Sequence, residues 1–248
     1  MSLSGKVALI TGGAKRVGAA ITRRLHSQGC NIVLHYRSSL SEAQQLTDEL
    51  NRHRAGSVVL AQADLLQTES LPSLVEAALK AFGQLDILVN NASSFYSTAM
   101  GEMDEASWHD LIGTNLKAPL FLSQAAVPAL REAGGCIINI TDIHAERPMK
   151  SYIIYSIGKA GLVAMTKSLA RELAPIVRVN AVAPGPIAWP EDNPDFDEAA
   201  RREIIAHTPL QRGGEPDDIA RAVSFLVQDG PFITGQILAV DGGRSVRL

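Results

Sequence analysis

Short apolar runs alternate along the chain with stretches whose apolar residues recur at helical spacing. The runs are KVALIT at 6–11, NIVLH at 31–35, SVVLAQA at 57–63, LDILVN at 85–90, CIINIT at 136–141, VRVNAVA at 177–183 and QILAV at 236–240. Too short for helices and mostly rich in Val, Ile and Leu, they predict seven strands. Between them, sets such as Ala20 with Leu25, or Leu74, Ala78 and Phe82, mark amphipathic helices. Strand–helix alternation predicts a doubly wound α/β fold, one parallel sheet of about seven strands with helices on both faces, as a single domain over 1–248. The one shift in composition is AWPEDNPDFDEAARRE at 188–203, with two prolines and five acids before Arg201. It predicts a loop leading into a short helix after the sixth strand, a lid at about 186–207 over a site at the carboxyl ends of the strands.

Composition narrows the function classes. With 46% hydrophobic and 20% charged residues, the 248-residue chain suits one soluble globular domain and excludes disorder. Twenty-three Lys and Arg against 26 Asp and Glu leave a net charge of -3, so no global attraction to nucleic acid or membrane is expected and any anion site is local. Two cysteines, Cys30 and Cys136, and six histidines without HxH or HExxH spacing indicate neither a disulfide framework nor a metal site. No signal peptide is read at the start, and no run approaches the ~18 apolar residues of a membrane span. A cytoplasmic location is the expectation.

Directly after the first strand comes Thr11-Gly12-Gly13-Ala14-Lys15-Arg16-Val17-Gly18, opening an amphipathic helix. Glycines let backbone approach a pyrophosphate, and free amides at a helix start supply donors and a positive dipole end. An ordinary glycine-rich strand-to-helix turn reads the same way. A dinucleotide's adenosine 2′-hydroxyl is usually read by an acid about 20 residues on. Here that stretch is His35-Tyr36-Arg37-Ser38-Ser39, without a carboxylate. Arg37 and Ser38 offer a guanidinium and a hydroxyl, which favours a 2′-phosphate and so NADPH over NADH. Arg37 as one more solvated loop arginine is the bland alternative.

Asp142 stands at the end of the fifth strand, and Tyr155 is followed at helical spacing by Lys159. A tyrosine is a poor acid–base catalyst at neutral pH, and an ammonium one turn away is expected to draw its pKa down. Together with Asn90-Asn91-Ala92, Asn115, Pro184-Gly185 and Asp241-Gly242-Gly243, these residues make the whole chain resemble the short-chain dehydrogenase/reductase family. That resemblance implies a Rossmann-type sheet and a nicotinamide cofactor. Three departures are informative: Arg16 replaces the middle glycine of the turn, Asp142 replaces a serine, and Ser93-Ser94-Phe95-Tyr96 follows Asn-Asn-Ala. With HYRSS, they look like the pteridine reductase branch.

Carried over by position, the resemblance implies NADPH contacts at Gly12, Arg16, Val17, Gly18, His35, Tyr36, Arg37, Ser38, Asp64, Leu65, Asn91, Ala92, Tyr155, Lys159, Pro184, Gly185 and Ile187. It implies a pterin or folate stacked by Phe95, with Ser93 and Arg16 around it and Asp142 and Tyr155 beside the reduced bond. The catalytic set is then Asp142, Tyr155, Lys159 and Asn115. Trp189 stands where many relatives have a cofactor-amide threonine. Phe95 also reads as a core aromatic, Asp142 as a capping residue, and Arg16 as a solvated turn cation. His35 and His144 read as structural histidines, and Gly158 and Gly161 as permitting close helix packing. Pro119 lacks the amide that would meet the carbonyl of Asn115, which is thus free for a water directed at Lys159 or is simply wetted at a kink.

The expected activity is NADPH-dependent reduction of a dihydropterin or dihydrofolate. One rival is a carbonyl reductase acting on a ketone or carrier-bound acyl chain, and another is an NADPH-sensing protein without turnover. The resemblance and the apolar content of 105–130 and 152–173 imply a homotetramer. Arg247 lies one residue short of where related reductases place an arginine in a neighbour's site.

Overall fold

In the computed structural model, which describes residues 2–189 and 193–247, the apolar runs form seven strands. These are β1 (Val7–Ile10), β2 (Asn31–Tyr36), β3 (Val58–Gln62), β4 (Ile87–Asn90), β5 (Cys136–Ile140), β6 (Arg178–Pro184) and β7 (Ile237–Val240). All pair in parallel in one sheet of order β3-β2-β1-β4-β5-β6-β7. The helices are α1 (Arg16–Ser27), α2 (Leu40–His53), α3 (Pro72–Phe82), α4 (Glu105–Ile112), α5 (Ala118–Ala133), α6 (Ile153–Leu173), α7 (Glu198–Ala206), α8 (Pro216–Gln228) and the short α9 (Arg244–Arg247). The doubly wound expectation holds.

Side chains alternate across a strand, so β1 serves two cores. Ala8 and Ile10 join Ile21 and Leu25 of α1, Leu46 of α2 and Val223 of α8 on one face. Val7 and Leu9 join Leu74 of α3, Leu122 of α5 and Leu173 of α6 on the other. Burial on both faces explains why the sequence reads VALI without alternation. Two asparagines interrupt this pattern. Asn90 Nδ2 donates to Asn139 Oδ1 at 2.9 Å and Ser123 Oγ at 3.2 Å, and Asn139 Nδ2 donates to Thr166 Oγ1 at 2.9 Å. This buried network ties β4, β5, α5 and α6 into one rigid block behind the site.

Strand order reverses about β1 and β4, and connections leaving in opposite directions open a crevice at their carboxyl ends. The cleft there has a volume of about 520 Å3 and runs from Gly12 and Arg37 to Asp142, Trp189 and Arg244. Cys30 and Cys136 are free and buried, and burial pushes their thiols up to about 12 and about 11, so neither is poised to react. No group of metal-ligating side chains occurs among the described residues, and none of their helices is long and apolar enough to cross a membrane.

Candidate active site

The glycine turn is built by close approach. A Cβ at Gly18 would lie 2.1 Å from the Gly12 carbonyl oxygen and 2.7 Å from Asn91 Nδ2. Asn91 Nδ2 donates to the carbonyls of Thr11 and Gly12 at 2.9 and 3.1 Å, and Thr11 Oγ1 accepts from the amides of Asn91 and Ala92. The ends of β1 and β4 are thereby stitched together. No side chain caps α1, as none caps α2, α3, α5 or α6, but its first residues Arg16, Val17 and Gly18 line the cleft, where their amides can meet an anion. Arg16 holds φ +50°, the left-handed conformation a glycine adopts freely, and its Nη2 donates across the cleft to the carbonyl of Ala188. Val17, Tyr36, Asp64 and Leu65 line the cleft, as do Arg37 and Ser38, exposed at the end of β2. Lys15 lies there too, its Nζ 2.5 Å from Glu42. It was not among the expected contacts, although a second cation in the turn was a readable signal.

His35, expected as a cofactor contact, lines the cleft but is only 2% exposed, and it supports the turn from beneath. Its Nδ1 accepts from the Gly12 amide at 3.1 Å and its Nε2 donates to the Ala63 carbonyl at 3.1 Å, which fixes a neutral tautomer. Burial pushes its pKa down to about 4. A histidine whose folded pKa lies below the unfolded ~6.5 contributes stability above that value and loses it as pH falls toward 4. The loss is expected to reach roughly 3 kcal/mol. Melting temperature should therefore fall more steeply between pH 7 and pH 4 than in His35→Gln, and parallel slopes would sink this assignment.

Tyr155 Oη donates to Asp142 Oδ2 at 2.7 Å, while Asp142 Oδ1 accepts from the His144 amide at 2.8 Å. The carboxylate therefore caps a turn and meets the tyrosine at once. Burial, and then the negative charge and hydrogen bond of Asp142, hold the Tyr155 phenol well above its ordinary pKa. This corrects the expectation that Lys159 draws it down. The ammonium instead donates to the Ile140 carbonyl at 3.0 Å and sits 5.6 Å from the Tyr155 ring centroid. Burial lowers its own pKa to about 8, with Asp142 opposing. Tyr155 is thus held in its protonated form, with its hydroxyl hydrogen directed at Asp142.

Instead of continuing as one helix, α4 and α5 are joined by a π turn at Gly113–Lys117 in which the Ala118 amide bonds five residues back to Gly113. Pro119, with no amide to offer Asn115, is the local cause. Inside this turn Asn115 Oδ1 accepts from Ser93 Oγ at 2.7 Å, and Nδ2 donates to the carbonyls of Ser94 and Leu111 at 2.9 Å each. A Cβ at Gly161 would lie 2.6 Å from Leu116 Cδ2 and one at Gly158 3.4 Å from Asn115 Cβ. The two glycines of α6 therefore bring the helix that carries Tyr155 and Lys159 onto this turn.

Phe95 joins an aromatic cluster that lines the cleft. Its ring stacks on Tyr152 at 4.7 Å, meets Tyr155 edge-on at 4.8 Å and lies 5.9 Å from Phe196. It is both a packed aromatic and a cleft wall. Tyr152 Oη donates to Asp195 Oδ2 at 2.7 Å and accepts from Asn193 Nδ2 at 3.1 Å, which fastens the segment expected as a lid. The lid consists of a short turn at Pro194–Phe196 and α7, with Trp189 6.2 Å from Phe196. Pro184, Gly185 and Ile187 line the cleft after β6, and a Cβ at Gly185 would lie 2.5 Å from Asp241 Cβ. The side chain of Arg247 and residues 190–192 lie outside the described residues.

A glycine turn at the switch point of a parallel sheet and a buried Tyr155–Lys159 pair define a nucleotide-dependent oxidoreductase, and comparison with known proteins agrees. The family described as enoyl-(acyl carrier protein) reductase matches residues 12–245. The chain belongs to the short-chain dehydrogenase/reductase family, whose members use a nicotinamide dinucleotide. It is 37% identical over 245 residues to an uncharacterized oxidoreductase of Methylorubrum extorquens, covering 97% of this chain and 98% of the relative. It is 35% identical over 241 residues to a 3-oxoacyl-(acyl-carrier-protein) reductase of Staphylococcus aureus (96% and 97% covered), and 33% identical over 249 residues to glucose 1-dehydrogenase 2 of Bacillus subtilis (98% and 96%). None of these names refers to a pteridine.

Proposed function

We propose that the protein reduces the C=N bond of a dihydropterin or dihydrofolate with NADPH. The observation that carries this reading is the Asp142 Oδ2–Tyr155 Oη contact of 2.7 Å. A carboxylate at this position would repel an alkoxide developing on a ketone. A pterin instead offers amide and amino donors for it to accept, and a ring nitrogen awaiting a proton. The nicotinamide, when bound, supplies the hydride. Tyr155 delivers the proton to the ring nitrogen, and Asp142 orients both the phenol and the substrate. Lys159 holds positive charge beside Tyr155, and the Asn115 carbonyl holds a water that leads protons toward it. Phe95 stacks the ring, and Ser93 and Arg16 hydrogen-bond around it.

The second reading is reduction of a ketone or carrier-bound acyl group, and the names of the relatives fit it better than the first. A non-catalytic NADPH sensor is the third, and the complete Tyr155, Lys159 and Asn115 set argues against it. Following NADPH absorbance with dihydrobiopterin, dihydromonapterin, dihydrofolate and an acetoacetyl thioester side by side tests all three. Fastest oxidation with a dihydropteridine is expected. A faster thioester would establish the second reading, and no oxidation with any of them the third.

The uncapped start of α1 in the cleft and the cations Lys15 and Arg37 beside Ser38 support NADPH as the cofactor. Arg37→Asp should weaken NADPH binding by about 1.5–3 kcal/mol, tenfold or more, while sparing NADH. Equal kcat/KM with the two cofactors in the unmutated protein would contradict this preference. The assembly is read as a homotetramer, with Trp108 of α4, Leu120 and Phe121 of α5 and Ile157 of α6 as exposed apolar side chains for the contact. Light scattering should give four chains, and a monomeric mass would refute it.

A further inference from the structure

Five lysines and arginines line the cleft among the described residues: Lys15, Arg16, Arg37, Lys159 and Arg244. The reading above employs four of them and leaves Arg244 without a task. Arg244 opens α9 just beyond β7, and its Nη1 donates at 2.9 Å to the carbonyl of Ile204 in the last turn of α7. That carbonyl also accepts from Thr208 Oγ1 at 2.8 Å. The nearest acid, Asp241, is spent on backbone amides, those of Gly243 at 2.9 Å and Ser245 at 2.7 Å. No carboxylate pairs with Arg244 among the described residues. Burial lowers its pKa despite the opposing charges of Asp241 and Glu203.

A guanidinium that is half-buried, positioned through one of its five N–H donors and without an ion pair is set to receive a planar anion. Its location defines what that anion is attached to. The sheet order puts β7 two strands from β5, where Asp142 and Tyr155 act, about 10 Å away. The wall of the same cleft also carries the aromatic side chains of Trp189 and Phe196. A substrate reaching from one to the other has its reduced ring at Tyr155, an aryl spacer against the lid and a carboxylate at its far end.

We propose that Arg244 is a specificity-determining residue that receives the tail carboxylate of the substrate. It thereby selects dihydropteridines bearing an arylamide-linked carboxylate, as dihydrofolate does, over those with an uncharged side chain. This rests on the dihydropteridine reading, and the experiment separates the two. Steady-state kinetics with NADPH should give a lower KM for dihydrofolate than for dihydrobiopterin. Arg244→Gln should raise KM for dihydrofolate about ten- to hundredfold more than KM for dihydrobiopterin, in KM and not in kcat. Equal effects on the two substrates, as a purely structural link to α7 would produce, or no effect on either, would overturn it. Should Arg244→Gln not fold, Arg244→Lys keeps the charge, loses the bidentate fork, and should show the same discrimination at smaller size; its absence has the same force. If neither dihydropteridine is turned over, the dihydropteridine reading is lost. Calorimetry with p-aminobenzoyl-glutamate on the NADPH-saturated protein then decides the anion site alone. Binding that Arg244→Gln abolishes sustains it, and binding indifferent to the substitution removes it.

Discussion

Asp142→Ala is expected to lower dihydropterin turnover by about 100-fold or more while NADPH binds as before. The two carboxylate oxygens have separate tasks. Oδ2 accepts from Tyr155, and its loss leaves the buried phenol without the partner that orients it toward the substrate. Oδ1 caps the turn at His144, and losing such a cap costs about 1 kcal/mol. Asp142→Asn keeps an acceptor for the cap but not the charge, so it should fold normally and still lose turnover. Asp142→Ser restores the hydroxyl that a ketone reductase uses, and should gain ketone reduction as pterin reduction falls. Dihydropterin reduction by Asp142→Ala at the unmutated rate would defeat the assigned role, with thermal unfolding recorded alongside to separate chemistry from folding.

The second large effect is expected at Gly18→Ala. The new methyl would sit 2.1 Å from a backbone oxygen and 2.7 Å from the Asn91 amide nitrogen, neither of which is the free end of a flexible chain. Relief requires the turn to move away from β4, which breaks the Asn91 bonds to Thr11 and Gly12. Overpacking of this kind costs about 1–3 kcal/mol, or some 2–4 °C of melting temperature per kcal/mol at this chain length. NADPH affinity should drop at least tenfold, since the amides that meet the pyrophosphate move with the turn. Gly213→Ala is the control, because a Cβ there meets nothing closer than 3.7 Å. Equal melting and equal NADPH affinity in the two variants would contradict the account of the turn.

The strands were legible because a strand buried on both faces, such as VALI, is apolar at every position, and even CIINI departs from this only at Asn139. The turn and the Tyr155–Lys159 spacing were legible because they are local. What stayed hidden depends on residues far apart in the chain. The π turn needs Pro119 together with the glycines of α6 that let Leu116 and Asn115 approach. The raised pKa of Tyr155 comes from burial and from Asp142, thirteen residues away in the chain, while the carbonyl that holds Lys159 belongs to β5. His35 supports the turn because β2 pairs with β1 in a register that brings its ring to the Gly12 amide. Arg16 meets Ala188 across 172 positions, and nothing near either residue announces the contact.

The buried asparagine network fixes the strands and helices that carry Asp142, Tyr155 and Lys159 into a single block, whereas α7 and the turn before it bury no residue of their own. The two walls of the cleft are consequently under different constraints. Exchange of Trp189 or Phe196 removes nothing from either large core, while a change at Asn90 or Asn139 disturbs β5, which leads to Asp142, and α6, which carries Tyr155 and Lys159. Substitution at Trp189 or Phe196 is thus expected to change what the cleft admits before it disturbs the Asp142–Tyr155 contact.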